Sequence, residues 1–399
     1  MTSTTILGQL GGLHEMQLHL LESVDAADAA RQFHPQLPSL NWLFGHGIYL
    51  ELYWLRERLS GDGDLAQRVS QLFTPDAMPL QAQCEQLPPR DHLINWGTEI
   101  RDEHLRRLAT PGALPDAPLI LNDRLQWFLL QEQAKIFESM LEVMNQRSLH
   151  QGSAEHHCTI SLKPAEPLWE TREISQGHYR IGARDEPKAY DNELPPQAVE
   201  LSSFRIALTP VSNAEYLAFI QAGGYEDKAL WSPEGAQWLA GQTLHQPEYW
   251  RQNQAGEWYE VAINGNSDLP ATEPVAGVSR YEAEAFANWA GRQGEVYAGA
   301  ILQHEYQWEI AARSGVLTLP SRVWEWCGNP FHPYPEFQPF PGDHFPAPAP
   351  SQQFYTLRGG SLHTQRVLRR ASLRHWATAG DRFHFAGIRL VFPPKHQWN

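Results

Sequence analysis

Apolar residues recur every three or four positions in four long stretches of the first 150 residues. This spacing is typical of amphipathic helices, which bury one face against a partner. Ser39 precedes the second stretch as a possible N-cap, and Gly61 and Gly63 follow it as helix-ending residues. The stretches cover about residues 5–33, 40–59, 91–108 and 119–144. Four such segments joined by loops predict a four-helix bundle.

The pattern changes in the second half of the chain. Periodicity breaks between about residues 148 and 170, and beyond 169 the apolar runs are brief and separated by Gly, Pro and Asn. Such a pattern predicts mixed α+β structure with long loops. We therefore predict a helical bundle over residues 1–150, a linker over 151–168 and a second domain over 169–399.

Composition narrows the possible partners and the compartment. The formal net charge is −15, and no cluster of Lys and Arg is present, so neither nucleic acid nor an anionic membrane is expected as a partner. No apolar run reaches 18 residues, and the first residues have neither the basic nor the apolar part of a signal peptide. The three cysteines form no CxxC pair and predict no disulfide framework. These features predict a cytoplasmic protein; the oligomeric state stays open.

Three motifs near the C-terminus carry a family resemblance. They are VWEWCGNPF at 323–331, LRGGS at 357–361 and FAGIRL at 385–390. Together they resemble the signature of the formylglycine-generating enzyme/sulfatase-modifying-factor fold. With the helical N-terminal part, the chain resembles the sulfoxide synthases of ergothioneine biosynthesis and their selenoneine-forming relatives. The resemblance implies an α+β chain: a DinB-like four-helix bundle followed by a C-type-lectin-like formylglycine-generating-enzyme domain.

The resemblance also implies an activity. Members of this family use iron(II) and O₂ to join a thiol or selenol donor to the imidazole carbon of a trimethylated histidine. The implied cofactor is iron(II), and the implied partners are an amino-acid betaine and the thiol or selenol donor. The copper-dependent formylglycine-generating enzymes instead use a cysteine pair near the C-terminus, where this chain has Cys327 alone, so their activity is not expected.

The implied iron site is altered in this sequence. His46, in the segment WLFGHGIYLELYW, matches the first ligand histidine of the family. The other two ligands are expected four residues apart on the fourth helix, where one helix face presents both, but the chain has Gln131 and Lys135. A protonated Lys repels a divalent cation. We therefore predict an absent or weakened site, with Lys135 paired to Glu132 or Glu138 and Gln131 hydrogen-bonded to His46.

Two other histidine groups offer alternatives. His14, His19, His92 and His104 all fall in predicted bundle helices, so a rebuilt site stays open, although His14 and His19 point to different sides. The run His156-His157-Cys158 in the linker resembles a metal motif in composition. However, neighbouring residues in an extended chain point in opposite directions, which argues against these three as one site.

The resemblance assigns further residues in the second domain. Tyr334, in the loop after the VWEW segment, matches the catalytic proton donor. Trp324, Arg374, His375 and Trp376 match the substrate pocket. The next position, where the family leads us to expect an Asp that holds the substrate amine, is Ala377.

The sequence leaves the enzymatic status open between two main hypotheses. The first is an active iron(II) oxidase of the sulfoxide or selenoneine synthase class. The second is a diverged member that binds a small cationic or amino-acid-like ligand without iron, with Trp324, Tyr334 and Trp376 around a quaternary ammonium group. Ordinary core packing also explains these aromatic residues. A purely structural interaction module has little support.

Overall fold

The computed structural model describes residues 3–152, 156–184, 186–243, 245–319, 321–339 and 353–394. The chain divides into two compact units. Unit 1 comprises Met1–Gly152 with Thr364–Leu368, and unit 2 comprises Ser153–His363 with Arg369–Asn399. Part of the predicted linker, residues 153–155, lies outside the described residues. No helix in the described ranges is both long enough and apolar enough to cross a lipid bilayer.

Unit 1 is helical. Its helices are α1 (Ser3–Glu22), α2 (Ala26–Ala30), α3 (Leu40–Glu51), α4 (Asp64–Phe73), α5 (Leu80–Glu85), α6 (Arg90–Ala109) and α7 (Arg124–Gln151). The longer helices α1, α3, α6 and α7 pack against one another, and α4 and α5 fill the connection between α3 and α6. These four correspond to the four predicted amphipathic segments.

Local chemistry explains where these helices begin and change. The Ser39 side chain accepts the amide N–H of Trp42 and caps α3, as predicted. Beyond Glu51 the backbone widens into a π-helix over Leu52–Arg58, which the apolar period did not predict. The predicted first helix over 5–33 is in fact two helices, because Asp25 caps α2 and interrupts the run after α1.

Unit 2 mixes short strands and helices. Its strands are β1 (Thr171–Ile174), β2 (Gly177–Ile181), β3 (Gln197–Leu201), β4 (Phe204–Ala207), β5 (Trp250–Gln252), β6 (Trp258–Ala262), β7 (Gly265–Asp268), β8 (Ile301–Leu302), β9 (Trp324–Pro330), β10 (Phe354–Arg358), β11 (His375–Thr378), β12 (Ala386–Gly387) and β13 (Leu390–Phe392). Its helices are α8 (Asn213–Gln221), α9 (Pro233–Ala240), α10 (Arg280–Ala290) and α11 (Glu305–Arg313). Ser212 caps α8 in a capping box with Glu215.

Small sheets organise unit 2. One sheet has the order β1-β4-β13-β8, and a second has the order β11-β10-β9-β12. The pair β2-β3 and the three-stranded sheet β5-β6-β7 are separate. Most pairs are antiparallel, but β12 runs parallel to β9, with Ala386 beside Trp324. The second sheet therefore brings the three C-terminal motifs together.

Buried ion pairs hold these motifs in place. Arg389 of FAGIRL and Glu325 of VWEW form two hydrogen bonds of 2.7 Å, and both side chains are fully buried. Arg358 of LRGGS donates to Glu309 on α11 at 2.6 Å. Buried charges are stable only when they are paired in this way. The motif residues are thus structural, and they fix the strands that carry the predicted site residues.

Candidate functional site

His46 is held by its own helix and by the chain that follows it. Its Nδ1 lies 2.8 Å from the carbonyl oxygen of Phe73. Since a carbonyl only accepts, Nδ1 carries the proton and Nε2 has a free lone pair. The ring stacks on Trp42 at a centroid distance of 4.8 Å. Burial lowers the pKa of His46 despite the carbonyl of Phe73 and the charge of Glu132, so the neutral form suits a metal ligand.

The glycine on each side of His46 is required by packing. A Cβ on Gly45 would come within 2.2 Å of the Phe73 ring, and one on Gly47 would come within 2.8 Å of the Gln133 amide oxygen. These contacts explain two glycines inside a helix, where each costs about 1 kcal/mol relative to Ala.

The other two predicted ligand positions do not fit iron. Lys135 Nζ donates to the Glu132 carboxylate at 2.8 Å, which is one of the two pairings predicted for it. The Gln131 side-chain nitrogen donates to the carbonyl of Trp127 at 3.0 Å, and a hydrogen bond between Gln131 and His46 stays a prediction. A neutral imidazole, an amide and an ammonium group are not the three histidines that the family resemblance implies, so His46, Gln131 and Lys135 do not reproduce that ligand set.

A second polar centre lies inside the bundle and was not predicted as such. The Glu51 carboxylate is fully buried and accepts hydrogen bonds from three side chains. His14 Nε2 lies 2.6 Å from Oε1, Gln133 Nε2 lies 2.9 Å from Oε1, and His104 Nδ1 lies 3.1 Å from Oε2. Burial alone would raise the pKa of Glu51, but the two histidines outweigh it and hold the pKa far below its ordinary value.

Arg101 supplies a positive charge near this carboxylate. It is buried, donates to the Gln17 amide oxygen at 2.5 Å, and lies over the Phe44 ring at 4.5 Å. Burial lowers the pKa of Arg101 to about 10, although the charge of Glu51 opposes the shift. The guanidinium therefore stays charged at neutral pH. An adjacent cation disfavours a metal ion on His14, Glu51 and His104, so this centre is a hydrogen-bonded charge network rather than a rebuilt iron site.

The remaining bundle histidines do not join this network. His19 and His92 are exposed, whereas His14 is buried, which agrees with the expectation that His14 and His19 point to different sides. The missed residue is Glu51. Its signal in the sequence was a single carboxylate inside an otherwise apolar run, where a charge requires buried partners.

In unit 2, Tyr334 and Arg374 lie together. The Arg374 guanidinium is 4.2 Å from the Tyr334 ring and 4.5 Å from the Phe331 ring. Arg374 forms two hydrogen bonds with the Glu305 carboxylate, at 2.8 and 2.9 Å, and donates to two backbone carbonyls. Its charge is thus already satisfied inside the protein.

The Tyr334 hydroxyl is buried and has no hydrogen-bond partner within the described part of the chain. Burial raises the pKa of Tyr334 even though Arg358 and Arg374 oppose the shift. A protonated phenol is the form that a proton donor requires, and a buried donor without a partner is rare in folded proteins.

The remaining predicted pocket residues lie on strand β11 or beside it. The His375 ring lies 4.9 Å from the Trp324 ring and 5.8 Å from the His384 ring. Trp376 instead faces Phe331 at 4.9 Å. His375 therefore packs beside Trp324, and Trp376 packs beside Phe331, which Arg374 and Tyr334 also adjoin. The His375 and Trp376 rings themselves lie 6.0 Å apart.

The linker residues His156, His157 and Cys158 differ in their surroundings, because His157 is exposed and the other two are partly buried. His156 Nε2 contacts the Asp268 carboxylate at 2.7 Å, and Cys158 lies on the same side of the chain, whereas His157 is exposed. The alternation that separates His157 from its neighbours is the same one that brings His156 and Cys158 together.

Comparisons with known proteins agree with these features. A model of the sulfatase-modifying factor enzyme 1-like domain matches residues 159–322 and 316–393. The hercynine oxygenase of Mycolicibacterium smegmatis is 28% identical over 97% of this chain and 98% of its own length. That of Mycolicibacterium thermoresistibile is 28% identical over 94% of this chain and 92% of its own length. The formylglycine-generating enzyme of Thermomonospora curvata is 33% identical over 36% of this chain and 48% of its own length.

These matches confirm the resemblance stated from the motifs and the α+β arrangement of a helical N-terminal region followed by a sulfatase-modifying factor enzyme 1-like domain. The matched segments include β9, β10 and β13, which carry or adjoin the three motifs. Because the domain model covers more than half of the chain, the chain belongs to the sulfatase-modifying factor enzyme 1-like family, and it is similar over nearly its whole length to hercynine oxygenases.

Proposed function

We propose that this protein is a diverged member of the hercynine-oxygenase class with an altered metal site. The class implies O₂-dependent bond formation between a thiol or selenol donor and the imidazole carbon of hercynine, the betaine of histidine. The observation that carries the proposal is the similarity to two hercynine oxygenases over nearly the whole chain. If only the fold of the second domain had been retained, the similarity to hercynine oxygenases would not need to include the helical region as well.

The altered metal site rests on Lys135 and Gln131. The Lys135–Glu132 pair places a positive charge at a position that the family resemblance assigns to a ligand. An ammonium group becomes a ligand only after it loses a proton, and this one lies 2.8 Å from a carboxylate oxygen. His46, by contrast, keeps the neutral form and the free Nε2 that a metal requires.

Substrate handling in this proposal uses residues of unit 2. Tyr334 holds a phenolic proton with no protein acceptor in the described ranges, so it can donate to a bound ligand. Trp376 presents a partly buried aromatic face, which suits a quaternary ammonium group. Ala377 removes the carboxylate that we expected for the substrate amine, so the amine contact must differ from that of the family.

A second candidate function follows from the same ion pair. A protein whose ligand positions are Gln131 and Lys135 can bind the betaine without iron and without catalysis. The Lys135–Glu132 contact favours this candidate, whereas the full-length similarity favours the first. Metal content and turnover separate the two.

The test is anaerobic loading with iron(II), followed by elemental analysis of wild type and of a Gln131→His/Lys135→His variant. We expect substoichiometric iron in wild type and about one iron per chain in the double variant. Adding His46→Gln to the double variant is the matched control, and it should remove the bound iron. Product formation from hercynine, a thiol or a selenol donor and O₂ is then measured for each protein.

Each outcome decides between the alternatives. If wild type binds about one iron per chain and makes product, the altered-site proposal is wrong and an active oxidase of the family is supported. If only the double variant binds iron, the site is a family site that has lost two ligands. If neither binds iron but wild type binds hercynine, the iron-free ligand-binding function is supported.

A further inference from the structure

A mixed set of metal-type donors meets where the segment after residue 155 contacts a hairpin of unit 2. The hairpin consists of β6 and β7, in which Tyr259 is paired with Asp268. His156 and Cys158 approach from the segment, and Asp268 approaches from the end of β7. The imidazole nitrogen, the thiol sulfur and the carboxylate oxygen all lie within 4.8 Å of one another.

We infer that His156, Cys158 and Asp268 form a binding site for a zinc-class divalent cation, which fastens this segment to the hairpin. One nitrogen, one sulfur and one oxygen ligand match the chemistry that Zn²⁺ accepts. This site is independent of the iron proposed for the family, and its three ligands all belong to unit 2.

The backbone already holds the ligands in place. One oxygen of Asp268 accepts the amide N–H groups of Thr159 and Ile160, at 3.0 and 2.8 Å. The Asn253 side chain donates to the backbone carbonyl of His156 at 3.1 Å. The segment and the carboxylate are therefore fixed relative to each other before any metal binds. Because these ligands are already ordered, metal binding would lose less conformational entropy.

The required movement is small. His156 Nε2 and Asp268 Oδ1 are now 2.7 Å apart as a hydrogen bond. Two such ligands on a tetrahedral zinc lie about 3.3 Å apart, given bonds of about 2.0–2.1 Å. Side-chain rotations that move these two atoms apart by less than about 1 Å make room for the ion. The Cys158 sulfur then supplies the third ligand.

Local charge favours a cation. The Glu257 carboxylate contacts Asn253 beside the three ligands, at 3.1 Å. Within the described residues, neither Asp268 nor Glu257 forms an ion pair with a Lys or an Arg; Asp268 pairs only with His156. Two carboxylates with no Lys or Arg partner in the described ranges make this cluster acidic apart from His156, and a divalent ion would neutralise that charge.

A nucleophilic or redox role for Cys158 fits the same surroundings poorly. Burial and the carboxylates of Glu257 and Asp268 raise the pKa of the Cys158 thiol. Reactive cysteines need positive surroundings that stabilise the thiolate. A cation bound at this cluster supplies that stabilisation and makes the sulfur a ligand instead.

The experiment is titration of the full chain with Co²⁺, which replaces zinc and reports its ligands by absorption. A thiolate-to-cobalt charge-transfer band should rise to a limit of one Co²⁺ per chain and disappear when Zn²⁺ is added. Cys158→Ser should abolish the band, and Asp268→Asn should weaken Co²⁺ binding by at least about tenfold. Asn at position 268 keeps an acceptor for the two amide groups, so this variant tests the ligand rather than the local fold.

A matched control is His178→Gln, which removes an exposed histidine from β2 and should leave the titration unchanged. The charge-transfer band separates this site from any binding at His46, which has no sulfur ligand. Zinc should also raise the melting temperature of wild type but not of Cys158→Ser. A band that persists in Cys158→Ser, or no band in wild type, would overturn the proposal whatever the iron experiments show.

Discussion

Replacing Glu51 by Gln should destabilise the helical unit strongly. The substitution keeps the shape of the side chain but removes its charge. Glu51 is fully buried and accepts from His14, His104 and Gln133, while the buried Arg101 keeps its positive charge nearby. The change therefore leaves a buried cation without its counter-charge.

The magnitude follows from two losses. A Gln side chain has one acceptor oxygen, so its NH₂ group must face a histidine or amide N–H group that formerly donated to the carboxylate. A hydrogen bond to a charged group contributes about 1.5–3 kcal/mol, and removing one partner of a buried charge pair costs about 3–5 kcal/mol. The two losses overlap, because both arise from removing the same carboxylate charge. We therefore expect Glu51→Gln to lower the free energy of unfolding by about 3–5 kcal/mol, which is a large part of the roughly 5–15 kcal/mol of a typical domain.

The assay is urea unfolding at neutral pH, followed by the helical circular dichroism signal. The long helices lie in unit 1, so this signal reports mainly on that unit. Glu103→Gln is the control, because Glu103 also pairs with a cation, Arg56, but 46% of its side chain is accessible. That change should cost no more than about 1 kcal/mol. If Glu51→Gln costs less than about 1 kcal/mol, the carboxylate does not balance Arg101, and the reasoning is refuted.

A double-mutant cycle locates the effect. If Glu51 and Arg101 balance each other, Arg101→Gln in the Glu51→Gln background should cost less than the same change in wild type. An additive double variant would mean that the two charges act independently.

Two further predictions concern titration and Tyr334. Burial lowers the pKa of His14, His46 and His304 below the ordinary 6.5. Below pH 6.5 the unfolded chain therefore binds protons that the folded chain does not, and the free energy of unfolding should fall from pH 7 to 5 by at most about 1.4 kcal/mol per pH unit and histidine. Urea midpoints that do not change with pH would contradict this expectation. Tyr334→Phe removes a buried hydroxyl without a described partner, so it should leave the free energy of unfolding unchanged or raise it by about 1 kcal/mol. If the phenol is a proton donor, turnover with hercynine should fall sharply while the unfolding midpoint does not fall.

The sequence predicted the helices that apolar spacing encodes and missed what spacing does not encode. The four periodic segments correspond to α1, α3, α6 and α7. The π-helix over Leu52–Arg58 keeps a helical distribution of apolar residues, so its wider turns leave no trace in the pattern. Likewise Asp25 splits the first segment through one hydrogen bond to the amide of Asp28, which a hydrophobic period does not register.

For the candidate sites, motif positions were easier to predict than partners. The Lys135–Glu132 contact followed from helical spacing, since residues three apart are neighbours on one face. Glu51 with His104, and His156 with Asp268, are separated by 53 and 112 positions. Nothing in a single sequence specifies which distant donor meets which acceptor, because the fold alone brings them together.

The two polar centres of the bundle differ in how much the fold depends on them. Lys135 and Glu132 are partly exposed neighbours on α7, with 29% and 17% of their side chains accessible, and such a pair contributes only about 0.3–0.5 kcal/mol. The Glu51 network is sealed and joins several helices, so its loss should cost several times more. Lys135→His should therefore cost little stability, whereas Gln131→His changes a buried side chain that donates to the carbonyl of Trp127. The helical circular dichroism signal of the double variant is therefore measured beside its iron content. If that signal matches wild type and no iron binds, the failure reflects the site and not the loss of the bundle.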